Sequence, residues 1–552
     1  VNAHFSVDNT SQETHMSMDT SRRQFFKNTT AVSAAAVMGD LALTAAGGHM
    51  AQAKTKDALS ELTATQVVRD ISNGKLKAET YMAAMIARAK AVSSLNAMIY
   101  LNEDKAMAAA RQVDADRAAG KKLGALAGLP IVVKDNINTK DMKTTGGTPS
   151  LRNFQPSKNA PSVQKLIDAG AIVLGKSNLH EWAFGITSTN FTLGTDQSGG
   201  AARPCKNPYD STRIPGGSSG GTAAAIAARF APAGLGTDTG GSTRVPASFC
   251  GVAGFRPSVG DGEGKGRRYP DTVNDALPIS TTRDTVGPMA RTVADLALLD
   301  AVIAGGDVPV AKSLKGLKIG VPATFWAGLD DSVKTVADVA KKKLESAGVV
   351  FVDADLAGIM ALNGEMSFPI ALHEPVHAIP AYLAANNAPV KTVKEVADQL
   401  ASPDVAGAFG AIQGPFSEAA FHDAYLGIMA TKRPALQKLY KDYFAAQGVE
   451  CVLFPTTLLA APKIDATNGS KNLSYTVGGV VQKDKDTFGT CIRNTDPCTN
   501  AGIPSVSIPA GLTAGGLPVG MQIDGPLGSD SNLLAIGMGI EAVWGSVKAP
   551  AV

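Results

Sequence analysis

Cysteine is scarce in this chain. Five occur in 552 residues, at positions 205, 250, 451, 491 and 498, and no pair has the spacing of a zinc ribbon. A disulfide-stapled scaffold and a structural zinc module are thereby set aside. Cys491 and Cys498 are close enough in sequence to bridge, but two free, partly buried thiols are the expectation. An excess of either charge is also missing. Lys and Arg number 52 against 49 Asp and Glu, a net charge of +3, and no basic stripe is interleaved with the few aromatics. Nucleic acid is therefore not an expected partner. There is no short-period repeat, which removes solenoids and propellers. No apolar run reaches the ~20 residues that span a bilayer: the alanine-rich stretch from Ala31 to Ala46 is short and carries Asp40.

What is present describes a folded enzyme-sized body. Hydrophobic residues are 44% and charged residues 18%, enough apolar surface for a large core. The run Ser21-Arg22-Arg23-Gln24-Phe25-Phe26-Lys27 resembles a bacterial twin-arginine export motif, and Ala51-Gln52-Ala53 resembles an A-x-A cleavage site. Met16 or Met18 would then be the start. Residues 1–53 are expected to be a leader, and residues 54–552 a single catalytic domain that is periplasmic or secreted, with the export machinery its partner in transit.

Within that domain, Leu62 to Ser94 has the pattern of two amphipathic helices, with Thr63 or Thr65 as cap and Gly74 as stop. A third helix is predicted from about Asn102 to Ala119. Short buried-strand patterns follow at Gly128–Val133, Ala171–Leu174 and Ala231–Gly236, separated by helices at Ser162–Ala169 and Ser219–Arg229. A helix to Ile303, a strand at Leu317–Val321 and a helix from Asp331 to Ala347 come next. Residues 355–447 have helical texture, and strand texture returns at Cys451–Phe454 and Pro504–Ile508. This alternation indicates an α/β layered fold with a helical excursion. Gly260–Tyr269 has the composition of a solvated loop.

Three segments carry chemistry. Lys134 directly follows the buried pattern Gly128-Leu129-Pro130-Ile131-Val132-Val133; burial disfavours an ammonium and can leave lysine neutral and basic near pH 7. Gly216-Gly217-Ser218-Ser219-Gly220-Gly221 opens an alanine-rich helix, where glycines allow a tight turn. Gly236-Thr237-Asp238-Thr239-Gly240-Gly241-Ser242 sets consecutive backbone amides before a serine, an arrangement able to supply a nucleophile and an oxyanion hole. Ser242 lies twenty-four residues beyond Ser218. Jointly, these motifs resemble the amidase-signature family, densest between Gly128 and Arg291 and extending through Asp284-Thr285-Val286-Gly287-Pro288-Met289-Ala290-Arg291.

The resemblance implies an α/β/α sandwich with a central mixed sheet covered by helices. It implies Ser242 as nucleophile, Ser218 passing the proton and held by a cis peptide after Gly217, and Lys134 as base. Backbone amides of Thr239, Gly240, Gly241 and Ser242 would hold the oxyanion. Asp238, Arg244 and Ser219 would support them, and Ala183, Phe184 and Gly185 would face the leaving amine. No metal or organic cofactor is needed, because side chains and backbone fill every role. The segments Phe184-Gly185-Ile186-Thr187-Ser188, Ile279–Thr285 and Arg493-Asn494-Thr495-Asp496-Pro497 are similar to the indoleacetamide and mandelamide hydrolase branch, implying a small aryl-alkyl primary amide as substrate. Aryl acylamides, peptide amides, carbamates and esters stay open, as does monomer against homodimer.

Other classes fit less. An amidotransferase subunit conflicts with the export motif, and a non-catalytic binding protein conflicts with the intact Lys-Ser-Ser set. Gly216–Gly220 also satisfies the G-x-S-x-G elbow of α/β-hydrolases, which would need His373, His377 or His422 beside Ser218. His373-Glu374-Pro375-Val376-His377 matches H-E-x-x-H, yet Pro375 opposes the continuous helix that this motif requires. The leader generates a direct test. Replacing Arg22 and Arg23 by lysine should trap the full-length precursor in the cytoplasm of a cell that otherwise exports it, and unchanged export would refute the signal assignment.

Overall fold

The computed structural model describes residues 58–192, 203–262, 266–469 and 471–552. The twin-arginine run, the cleavage motif and residues 263–265 of the glycine-rich loop lie outside them. Residues 56–552 form one compact unit.

Its centre is a single mixed sheet. In chain order the strands are β1 (Met98–Leu101), β2 (Pro130–Lys134), β3 (Ile172–Ser177), β4 (Ala233–Asp238), β5 (Ala253–Arg256), β6 (Thr285–Ala290), β7 (Lys318–Gly320), β8 (Val350–Val352) and β9 (Cys451–Pro455). A separate hairpin, β10 (Asn472–Val477) with β11 (Val480–Asp486), precedes β12 (Ser505–Leu512) and β13 (Pro518–Asp524). Eleven strands join in the order β1-β3-β2-β4-β6-β5-β12-β13-β9-β7-β8. The strands β3, β2 and β4 run parallel, as do β8, β7 and β9, and antiparallel pairings link the two parts. Parallel strands need both faces covered, which is why β2, β3 and β4 are buried at every residue and read as continuous rather than alternating apolar runs.

The expected helices form where their signals lie. Thr63 caps Ala64–Ser72 in a reciprocal capping box with Gln66, and Gly74 ends that region at φ 77°. The helix Gly220–Ala227 is buried at all eight positions. Its second residue shows why glycine is required: a Cβ on Gly221 would lie 2.4 Å from the Asn178 carbonyl oxygen and 2.5 Å from that of Ala97. That approach sets the helix, and the serine loop before it, against the end of β3. The helices Val293–Ala304 and Asp530–Trp544 pack on each other and on the sheet.

The structure adds three elements and corrects one expectation. β6 was quoted only as a motif but is a strand between β4 and β5. Helix Asp530–Trp544 and the β10–β11 hairpin were not anticipated. The Gly260–Tyr269 segment is not simply solvated: Tyr269 is buried, its hydroxyl and the Arg268 guanidinium both bond Asp300, and Gly260 donates to the Gly502 carbonyl. All five thiols are free, as expected for Cys491 and Cys498, and all are buried. Among the described residues no helix is long and apolar enough to cross a membrane.

Candidate active site

The two parallel strands β2 and β4 end side by side, and their ends supply the site. Lys134 is the last residue of β2 and is fully buried. Its Nζ lies 2.7 Å from Ser218 Oγ and 2.7 Å from Thr237 Oγ1, and Asn136 Nδ2 donates to the same Thr237 hydroxyl at 3.0 Å. Burial disfavours the ammonium and brings the Lys134 pKa down to about 7; the fields of Asp238 and Asp284 oppose that shift only in part. Ser218 is itself fully buried, and the Gly217–Ser218 peptide is cis.

Beyond β4 the chain turns through Thr239–Thr243 into the helix Arg244–Cys250, and each residue of the turn is tied down. Thr239 Oγ1 donates to Asp284 at 2.6 Å, and its carbonyl accepts from Arg283 Nε at 3.1 Å. The Gly240 carbonyl accepts from the Thr495 hydroxyl at 2.6 Å. Gly241 adopts φ 131°, and a Cβ there would meet Thr495 Oγ1 at 2.2 Å, so only glycine fits. Ser219 N–H donates to the Ser242 carbonyl at 3.2 Å, which joins the two serine loops. Ser242 is 7% exposed and holds the most open position of the three. No hydrogen bond joins its Oγ to Ser218 Oγ among the described residues.

Asp238 organises this turn. One carboxylate oxygen accepts from Gly241 N–H at 3.0 Å, Arg244 Nη2 at 2.9 Å and Arg256 Nη1 at 3.2 Å. The other accepts from the Thr243 amide, the Thr243 hydroxyl and Arg244 Nε at 2.9–3.1 Å. Burial alone would raise this carboxyl, but the two guanidiniums outweigh it and hold the group well below the usual carboxylate range. The same contact corrects the expected oxyanion set: the Gly241 amide points at Asp238 and is already engaged. The amides of Thr239, Gly240 and Ser242 have no partner among the described residues.

The segment Ala183-Phe184-Gly185 is near but unequal. Ala183 packs with Leu179 and Ile279, whereas Phe184 turns toward Phe409 of the helical excursion, ring to ring at 5.3 Å. Gly185 sits against the His180 ring. Trp182 and Ala183 take left-handed φ values of 54° and 64°, which cost non-glycine residues ~1–2 kcal/mol each and persist where packing dictates them. A narrow cleft of about 30 Å³, lined among others by Asn136, Ala183, Thr237, Thr239, Ile279 and Asp284, borders the partners of Lys134. Neither this cleft nor a larger cavity of about 440 Å³, lined by Thr187, Arg213, Lys463 and Tyr475 among others, is lined by Lys134, Ser218 or Ser242 themselves. The smaller cleft reaches the Lys134 network through Asn136 and Thr237, which bond each other and, through Thr237, the lysine.

The amidase family model matches residues 81–534. The chain belongs to the amidase family. It is 40% identical over 461 residues to the indoleacetamide hydrolase of Agrobacterium vitis, covering 83% of this chain and 91% of that one. It is 36% identical over 505 residues to the mandelamide hydrolase of Pseudomonas putida, covering 89% and 93%. Among solved structures, the peptide amidase of Stenotrophomonas maltophilia superposes with a TM-score of 0.72 at 27% identity, over 89% of this chain and 98% of that one. This amidase hydrolyses carbon–nitrogen amide bonds.

The rival arrangements do not assemble in this amidase. Ser218 Oγ bonds Lys134, while His373, His377 and His422 gather around Glu418 instead. The H-E-x-x-H stretch is split between the helices Ser367–His373 and Pro375–Ala385, as Pro375 dictates. Glu374 is bonded to Ser280, Thr282 and Tyr425. Several supporting residues were missed from sequence: Thr237, Arg256, Arg283, Asp284, Thr495 and Asp496. All but Arg256 lie inside the sequence motifs, but nothing in a linear text ties Arg283, Asp284, Thr495 or Asp496 to the turn at 239–241.

Removing the Asp238 charge should destabilise this amidase rather than merely slow it. Asp238→Asn leaves Arg244 and Arg256 buried without their shared anion, a loss of ~3–5 kcal/mol measurable by denaturant unfolding. Because the folded carboxyl lies below its unfolded value, its contribution is complete above an ordinary pKa of ~3.9 and fades as pH falls below it. The stability of the variant should accordingly depend less steeply on pH in the acid range than that of the parent.

Proposed function

We propose that this amidase is exported and hydrolyses primary amides bearing an aryl-alkyl group, through a relay of Lys134, Ser218 and Ser242 and an acyl-enzyme. The supporting observation is the 2.7 Å contact of a fully buried lysine amine, its pKa near neutrality, with Ser218 Oγ. In this reading Ser242 Oγ attacks the carbonyl carbon. Its proton passes to Ser218 Oγ as the Ser218 proton moves to neutral Lys134. The oxyanion rests on the free amides of Thr239, Gly240 and Ser242, each good donor contributing ~3–4 kcal/mol. Return of the proton through Ser218 to the leaving nitrogen expels ammonia and leaves an ester on Ser242. Water then attacks that ester with the relay acting again as base, giving the carboxylic acid and free enzyme. The contact between the two serine hydroxyls closes when substrate docks, as such contacts commonly tighten only in the reactive complex.

The substrate reading is supported by the names of the relatives, whose substrates are arylacetic or aryl-hydroxyacetic primary amides. The apolar residues Leu179, Ala183 and Ile279 beside the site suit an aryl group. A primary amide releases only ammonia, which asks little room on the leaving-group side. A hydrolysis panel of indole-3-acetamide, mandelamide, an anilide and an aryl carbamate tests this. The first two should show the highest kcat/KM, and preference for the anilide or carbamate would replace the substrate reading.

The relay has its own test. A lysine that must accept a proton acts only when neutral, so kcat/KM should rise about tenfold per pH unit below pH 7 and level off above it. Ser242→Ala should abolish labelling by an activity-based serine probe. Ser218→Ala and Lys134→Ala should each slow acylation by ~10²–10⁴-fold. Their combination should cost little more than the worse single change, because members of one relay are not additive. Lys134→Arg should fail too, since guanidinium stays protonated. Near-normal turnover in Lys134→Arg, or labelling at Ser218, would overturn the assignment.

A further inference from the structure

Three of the four described histidines meet at one place in the helical excursion, away from the residues of the proposed relay. His373 closes the helix Ser367–His373, and His377 lies in the first turn of the helix Pro375–Ala385. Glu418 and His422 stand one turn apart on a third helix, Glu418–Gly427, and so share a face. Four potential ligand atoms, one from each side chain, lie within 4.8 Å of one another. Glu418 is central: its carboxylate oxygens are 2.7 Å from His377 Nε2, 3.1 Å from His422 Nδ1 and 3.6 Å from His373 Nε2.

The hydrogen bonding of this group is incomplete. His373 is 1% exposed, and its Nδ1 lies 2.9 Å from the Phe416 carbonyl. That carbonyl can only accept, so Nδ1 carries a proton and Nε2 is the nitrogen that faces Glu418. His373 Nε2 and His422 Nδ1 are both buried atoms with no hydrogen-bond partner. A neutral imidazole nitrogen directed at a carboxylate oxygen is unfavourable unless a proton or a metal ion stands between them. An imidazole whose other nitrogen is fixed by a backbone carbonyl is also how proteins commonly orient a metal ligand.

We propose that His373, His377, Glu418 and His422 form a site for a divalent transition metal of the zinc type. Three imidazole nitrogens and one carboxylate suit Zn²⁺, Co²⁺, Ni²⁺ or Cu²⁺; they do not suit Ca²⁺ or Mg²⁺, which require more oxygen ligands. Tetrahedral binding with bonds near 2.1 Å sets ligand atoms ~3.4 Å apart, so the close His377–Glu418 and His422–Glu418 pairs must open while the wider pairs close. The three outer side chains can do so, because His377, Glu418 and His422 are 63%, 47% and 43% exposed. The ion would clamp the junction of two helices to a third. Glu374, the neighbour of His373, bonds the Ser280–Thr282 turn, which leads to Asp284 and so to Thr239. The site is structural and contributes no group to the amide chemistry.

The test uses the full chain, stripped of metal and titrated with Zn²⁺ against a chromogenic chelator, and with Co²⁺ read by visible absorption. One equivalent should bind, with the intense absorption of four-coordinate Co²⁺, and Zn²⁺ should raise the Tm. His377→Ala and His422→Ala, both at exposed positions, should each weaken binding about 100-fold and remove the Tm rise, with circular dichroism unchanged. The Ser242→Ala variant should bind metal as the parent does, which separates this result from the fate of the relay. Absence of stoichiometric uptake, or uptake that survives both histidine substitutions, would overturn the proposal.

Discussion

Burial of the Lys134 amine is the constraint on which the site depends. A charged ammonium at the inner end of a wholly buried strand would cost several kcal/mol without an anion beside it. Here the direct partners are hydroxyls, Ser218 and Thr237, which accept a hydrogen bond without supplying charge. The amine is therefore easiest to keep neutral. A neutral amine so placed is a base, and the sheet that buries it also fixes it against the serine it faces.

Two carboxylates nearby threaten that neutrality, and each is dealt with differently. Asp238 is ionised and raises the Lys134 pKa, while Arg244 and Arg256 contact it directly and hold its charge in place. Burial pushes the Asp284 carboxyl up, while hydrogen bonds from Thr239, Ile279 and Ser280 pull against that shift. Both acids also hold the turn at 239–243, Asp238 through Gly241 and Thr243 and Asp284 through Thr239. The groups that shape the turn thus leave the amine close to neutral, with a pKa of about 7. Shape and electrostatics are set by one network.

Much of this was legible in the linear text, because local signals are carried by neighbours in sequence. The capping box at Thr63, the buried runs of β2 to β4 and the glycine-rich turns all rest on residues a few positions apart. Lys134 and Ser218 could be paired only through the joint spacing of three motifs, since 84 residues separate them. What stayed hidden depends on sheet order. β6 enters between β4 and β5, and the 495–496 segment reaches the Gly240 turn across more than 250 residues of chain. The tie of Thr495 to Gly240 and that of Arg283 to Asp496 have no periodicity and no fixed offset. Gly241 shows the same limit at short range: its amide looks free in sequence, yet the turn aims it at Asp238.

A second lysine shows that burial alone does not make a base. Lys176, on the adjacent strand β3, is as deeply buried as Lys134, and burial lowers its pKa as well. In the parallel register Lys134 pairs with Ser177 and Val133 with Lys176, so pleating sends the two amines to opposite faces of the sheet. Lys176 Nζ is surrounded by the Ile137 carbonyl and the hydroxyls of Thr139 and Thr144, with the Asp135 carboxylate at 3.4 Å. Asp135 returns charge to the pair, and no serine on a glycine turn stands beside it. Lys176 therefore locks the loop after β2, which leads from Lys134 to Asn136 and on to Thr144. The same residue type at equivalent depth does structural work on one face of the sheet. On the other it faces hydroxyls alone, with no carboxylate among the described residues in contact to hold a charge on it.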